Sequence, residues 1–104
     1  MKIDFSAVIE NLDGDAVKDG DKEATLGRVA CTALLASYAD EPNLPAEDKM
    51  KRFRLAEIAA TGGAQEVKVE DVALMKKLIG KAFVPLIVGR AFDIIEPPAA
   101  EPRA

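Results

Sequence analysis

Lys2-Ile3-Asp4-Phe5-Ser6-Ala7-Val8-Ile9-Glu10-Asn11-Leu12-Asp13-Gly14-Asp15-Ala16-Val17-Lys18 is the stretch on which the fold turns. Ile3, Phe5, Ala7 and Ile9 occupy alternate positions, with Lys2, Asp4, Ser6 and Glu10 around them and Val8 breaking the pattern. A repeat of two puts those apolar side chains on one side of a half-buried strand. Asp13-Gly14 is a dipeptide suited to the positive φ angles of a tight reversal, so Ala16-Val17-Lys18 is expected to run back beside the first strand. Asp19-Gly20-Asp21 then ends the return. The expectation is an antiparallel hairpin over residues 2–18.

A two-stranded hairpin is marginal in water by itself, so the rest of the chain must supply a surface for it. Thr25 can cap a helix through its hydroxyl, and Leu26, Val29, Ala30, Ala33 and Leu34 follow with helical spacing, which predicts a helix over about 26–39. Asp40-Glu41-Pro42-Asn43 is a loop. Pro45 opens a second helix, about 45–61, with Glu47 and Asp48 placed to suit the positive end of its dipole. It carries Met50, Phe53, Leu55, Ile58 and Ala59 and stops at Gly62-Gly63. Val67-Lys68-Val69 reads either as a third short strand or as a staple on the next helix, about 70–83, which carries Val72, Leu74, Met75, Leu78 and Ile79.

Pro85 interrupts an otherwise helical pattern. Its ring lacks a donor and clashes with the preceding turn, so the last helical segment should break or kink near Phe83-Val84 and resume over 85–95. That resumed piece is apolar around most of its circumference, as for a central core helix or an oligomer interface. Pro97-Pro98 and the residues after them have nothing to bury, and 97–104 reads as a disordered tail. The whole is one domain over 1–96, of α+β class and mainly α: an N-terminal β-hairpin packed on about three helical segments, the last kinked near Pro85.

The chain has 104 residues, 49% of them hydrophobic but only 5% aromatic, so its core is built from modest side chains. No apolar run approaches the length of a membrane span. The opening Met1-Lys2-Ile3-Asp4 lacks the apolar region of a signal peptide, and Cys31 has no partner cysteine, which together imply a cytoplasmic protein. There is no histidine. That removes the commonest general base near neutral pH, the commonest zinc ligand and every Ser-His or Cys-His pair.

The net charge of −4 is placed unevenly. Residues 1–23 hold seven acids (Asp4, Glu10, Asp13, Asp15, Asp19, Asp21, Glu23) against three lysines, and the rest of the chain is balanced, with eleven of each sign. Asp13, Asp15, Asp19 and Asp21 are therefore candidate partner-binding residues. Their spacing is not that of a calcium loop: counted from Asp13, Lys18 stands where the invariant glycine belongs, and counted from Asp19, Ala30 stands where the closing glutamate belongs. Lys49, Lys51, Arg52 and Arg54 put four cations in six residues and are candidate nucleic-acid-binding residues, provided that they stay unpaired on one face. Glu47, Asp48 and Glu57 are spaced to neutralise several of them.

Glu10, Glu57, Glu66 and Glu70 could in principle supply an acid and base pair, but nothing in the sequence brings two of them together. Cys31 beside an apolar helix face reads as a small buried hydrophobe. Gly80-Lys81 lacks the glycine-rich run of a phosphate loop. No catalytic residue, metal ligand or cofactor is assigned. Gly27, Gly80 and Gly89 stand within helical pattern, where close helix packing is the usual compensation.

Asn11-Leu12-Asp13-Gly14, Thr25-Leu26-Gly27, Lys51-Arg52-Phe53-Arg54-Leu55-Ala56 and the closing Leu78-Ile79-Gly80-Lys81-Ala82-Phe83-Val84-Pro85-Leu86-Ile87-Val88-Gly89-Arg90-Ala91, in that order and spacing, resemble a group of short proteins encoded by bacteriophages and prophages, largely without assigned function. The resemblance covers most of the chain short of the tail and transfers no site residues. It implies a small accessory factor that binds a larger phage or host protein in a bacterial cytoplasm. Three functions follow as expectations: a non-enzymatic protein-interaction module; a nucleic-acid binder using 49–54; and a homo-oligomeric structural or assembly factor using 83–95.

Overall fold

The computed structural model describes residues 1–97. In chain order the elements are β1 (Lys2–Asp4), β2 (Lys18–Asp19), β3 (Lys22–Glu23), α1 (Leu26–Leu35), α2 (Ala46–Thr61), β4 (Ala64–Glu66), α3 (Val69–Ala82) and α4 (Pro85–Ile95). This is an α+β architecture, mainly α, with a small β region at the N-terminal end, as the sequence predicts. Of the expected tail, residues 98–104 lie outside the described residues.

Of the alternating residues Ile3, Phe5 and Ile9 are buried, Ala7 is partly buried and Val8 is exposed, but the strand itself ends at Asp4 and the chain turns at Phe5-Ser6. The strand pairing differs from the simple hairpin. β1 pairs antiparallel with β4, Ile3 opposite Gln65, so the extra strand falls at 64–66, just before the expected 67–69. Val67 still joins this edge by donating its N–H to the Met1 carbonyl at 2.8 Å. The chain does reverse at Asp13-Gly14, with Gly14 at φ 89° and Glu10 bridged to Ala16. A second reversal at Gly20, φ 67°, joins β2 to β3.

Three backbone passes meet beneath these turns in a closed ring of hydrogen bonds. Val17 N–H donates to Ile9, Ile9 N–H to Ala24 and Ala24 N–H to Val17, each at 2.8 Å. Three short segments, none long enough for a sheet, thus satisfy one another's buried polar groups. The ring sits over the core, since Ile9 and Ala24 are buried and Val17 packs against the same cluster.

Chain entry into α1 follows from the same constraint. Thr25 Oγ1 accepts from Arg28 N–H, as expected of a cap. The N–H groups of Leu26 and Gly27, which have no partner inside the helix, donate to the carbonyls of Ala7 and Phe5 at 2.9 Å. α1 ends at Leu35, four residues short of the predicted Ala39. The chain is extended from Ala36, and Tyr38 folds back to donate its hydroxyl to the Ala33 carbonyl at 2.6 Å and also reaches the Leu78 carbonyl on α3 at 3.3 Å.

α2 lies in a different rotation from the one its apolar residues suggest. Its inner stripe is Arg52, Leu55, Ala56 and Ala59, while Met50 and Phe53 are about half exposed. Small residues face α1 because the two helices touch at their backbones. A Cβ built on Gly27 would lie 2.6 Å from the Ala59 carbonyl oxygen and 3.0 Å from that of Phe5. Gly80 and Gly89 have open space instead, so close packing explains only the first of the three helical glycines.

The predicted break at Pro85 is present. Phe83 and Val84 are extended, α3 ends before them, and Pro85 opens α4 where its missing N–H costs nothing. α4 buries Ala91 and Ile95, with Ile87, Val88, Phe92 and Ile94 packed at the edge of the core. Most of the 83–95 segment is therefore used within the chain, though Val84 remains 63% exposed.

Gly27→Ala is expected to lower stability by about 1–3 kcal/mol, because two carbonyls must move to admit one methyl group. Gly80→Ala and Gly89→Ala should each raise it by up to about 1 kcal/mol through helix propensity alone. Urea denaturation of the three variants checks both signs.

Candidate functional site

The two charge clusters noted in the sequence fare differently in three dimensions. Asp13 and Asp15 flank Gly14 on the first turn and Asp21 lies in the second; all three are exposed and make no ion pair among the described residues. Asp19 is committed, its Oδ2 accepting from Nε and Nη2 of Arg28 at 3.0 and 2.7 Å. Among the described residues no three acids or cysteines stand close enough to hold a metal ion.

The cations of α2 do not form a common face. Arg52 is turned inward with its side chain 8% exposed, held in a two-pronged pair by Glu41 at 2.8 and 2.7 Å. Lys51 pairs with Asp71 at 3.4 Å, and Arg54 with Glu57 at 2.8 Å while lying over the Phe53 ring. Lys49 alone of the four has no ion pair among the described residues. The condition set for a nucleic-acid surface, unpaired cations on one face, is met by one residue.

The turn between Asn11 and Asp15 is held firmly. The Asn11 side-chain oxygen accepts from the N–H groups of Asp13 and Asp15 at 2.9 and 3.1 Å, a local turn typical of asparagine. Asn11 N–H donates to the Asp15 carbonyl at 2.8 Å and Gly14 N–H to that of Asn11 at 3.1 Å. From across the fold, Arg90 on α4 donates to the carbonyls of Glu10 and Asn11 at 3.0 and 2.9 Å. The turn so fixed presents Leu12 at 85% exposure, more than any other large apolar side chain among the described residues. In the sequence Leu12 is marked only by its place beside Asp-Gly at the expected hairpin tip, and nothing local marks Arg90 as its support.

A second site, which no local sequence signal marks, is the loop over residues 36–45. Besides Tyr38, it is tied down by Glu41 on Arg52 and by Asp40, which accepts from Lys81 Nζ at 2.8 and 2.9 Å; that ammonium also lies 4.7 Å from the Tyr38 ring centre. The hydrogen bonds from Arg52 hold the Glu41 carboxyl below its usual range, and those from Lys81 do the same for Asp40. Burial pushes the Tyr38 hydroxyl up. Between this loop, the end of α1 and the start of α2 lies a cavity of about 420 Å³, lined by Leu34, Leu35, Pro42, Leu44, Lys49 and the Arg52–Glu41 pair.

The acids considered as a catalytic pair stay apart. Glu57 is taken by Arg54 and Glu66 by the N-terminal ammonium at 3.3 Å, while Glu10 lies by the tip and Glu70 in the first turn of α3. Cys31 is half buried, with its Sγ 3.2 Å from the Ala56 carbonyl, and burial pushes its thiol up, away from the reactive thiolate. No helix among the described residues is long and apolar enough to cross a membrane. No family model, no curated protein and no solved structure matches this chain.

Because the Glu41 and Asp40 pKa values are lowered by folding, their contribution to stability is complete above the ordinary carboxylate range, about pH 4, and is lost as pH falls through the lowered values. Glu41→Gln should therefore lower the urea midpoint at neutral pH, with the gap to the unmodified chain closing on acidification. Arg52→Ala should cost more than Arg54→Ala at pH 7, since it strands a carboxylate and leaves a gap in the core edge, whereas the Arg54 pair is exposed.

Proposed function

We propose that this chain is a non-enzymatic protein-interaction module, an accessory factor of the phage or prophage kind that its sequence resembles, working in a bacterial cytoplasm through the Leu12 tip. One observation carries the reading: an apolar side chain almost wholly in solvent, at the apex of a turn fixed by six hydrogen bonds, two of them from Arg90 on a distant helix. A lone exposed leucine is ordinary on a protein surface. A leucine on a backbone turn fixed in this way is less so, since ordering the turn before binding removes part of the entropic cost of association.

Asp13 and Asp15 on the tip, with Asp21 on the neighbouring turn, would give such a contact its charge. Exposed carboxylates around an apolar anchor speed encounter with a basic surface and reject an acidic one. The anchor supplies the affinity and the acids supply choice of partner. Asp19, tied to Arg28, belongs to the support of the turn rather than to the contact.

Capture from nuclease-treated bacterial lysate on the tagged full chain, read by mass spectrometry, tests the proposal. The protein retained by the unmodified chain should be lost with Leu12→Ser and weakened at low salt by Asp13→Asn combined with Asp15→Asn. Retention unchanged in both variants would overturn it.

A further inference from the structure

We propose that the Leu12 tip docks on a second copy of this chain, seating in the cavity between the 36–45 loop and α2. The inference rests on the reading of the tip as a contact surface and names its occupant. The cavity offers what the tip lacks. Its apolar wall is formed by Leu34, Leu35, Pro42 and Leu44, and Leu35 stands 59% exposed. At about 420 Å³ it is ample for one branched side chain and the turn that bears it.

Charge complements shape. The charged residues lining the cavity are Glu41, Arg52 and Lys49. Glu41 and Arg52 neutralise one another at 2.7 Å, which leaves Lys49 as the one lining charge without an ion pair among the described residues. The tip brings Asp13 and Asp15, neither paired among the described residues, immediately after Leu12 in the same turn. An apolar knob with two carboxylates on its own turn meets an apolar pocket with one ammonium at its edge.

Tip and cavity share no residue, so the contact is head-to-tail. Each copy that docks its tip still offers an open cavity, and association builds rings or open chains in place of a two-fold dimer. The Arg52–Glu41 pair acquires a second role in this arrangement. It keeps the loop closed over one side of the pocket and cancels the carboxylate that would otherwise repel Asp13 and Asp15.

Sedimentation velocity of the full chain, from about 10 to 500 µM, tests this at about 50 mM and 500 mM salt. The expected result is a mass that rises with concentration at low salt and falls back at high salt. Leu12→Ser and Lys49→Glu should each weaken association about tenfold or more, and Leu35→Glu gives a second cavity variant independent of Lys49. All three positions are exposed, and circular dichroism verifies that the variants fold. The decisive result is the mixture of Leu12→Ser with Lys49→Glu: one copy keeps its cavity and the other its tip, so the mixture should form a dimer and stop there. A monomer throughout, or association indifferent to all three substitutions, overturns the proposal. A chain that stays monomeric yet loses a captured lysate protein on Leu12→Ser has a different partner at its tip, so self-docking falls while the interaction reading stands.

Discussion

Everything in this fold is arranged around the contact at Gly27. There the N-terminal strand, α1 and α2 meet backbone to backbone: Gly27 N–H donates to Phe5, and the Ala59 carbonyl occupies the space where any other residue would carry its side chain. A core of modest side chains with few aromatics gains its density by such close approach instead of by bulk. The contact also explains why Leu55, Ala56 and Ala59 form the inner stripe of α2 and why Met50 and Phe53 are turned out. Once α2 is so placed, the Gly62-Gly63 turn at its end brings β4 beside β1, with Ser6 Oγ accepting from Gly63 N–H at 2.6 Å.

The two surface features of interest both depend on long-range hydrogen bonds to this frame. The Leu12 tip is held by Arg90 from α4, about eighty positions away in sequence, through backbone carbonyls that any residues could supply. The cavity is bounded by a loop that Tyr38, Asp40 and Glu41 tie to α1, α3 and α2 in turn. In both places a charged side chain of a helix reaches into a loop and fixes it. Rigid loops on a small helical scaffold suit a protein that presents surfaces, since loops carry recognition best when the frame holds them.

How far the site was legible in the sequence differs between its parts. The acidic character of the N-terminal turns was plain from charge alone. The basic run at 49–54 was equally plain, yet three of its four cations are paired, Lys51 with Asp71 on α3 and Arg52 with Glu41 in the preceding loop. Spacing along one helix exposes only the partners on that helix, and here two of the three partners lie elsewhere in the chain. Tyr38 and Glu41 lie where the sequence shows only a helix end and a loop, because nothing local marks a side chain that will bond to a distant carbonyl or guanidinium.

The sequence by itself determined the elements whose causes are local. The period of two at Ile3, Phe5 and Ile9, the glycine turns, the Thr25 cap and the break at Pro85 each arise from a few neighbouring residues and the conformations open to them. Tertiary structure decided what required two distant segments to meet: the pairing of β1 with β4, the rotation of α2, the early end of α1 and the inward turn of Arg52. Those outcomes are set by which buried carbonyls and carboxylates find a donor when the segments are brought together, and a donor at long range leaves no pattern along the chain.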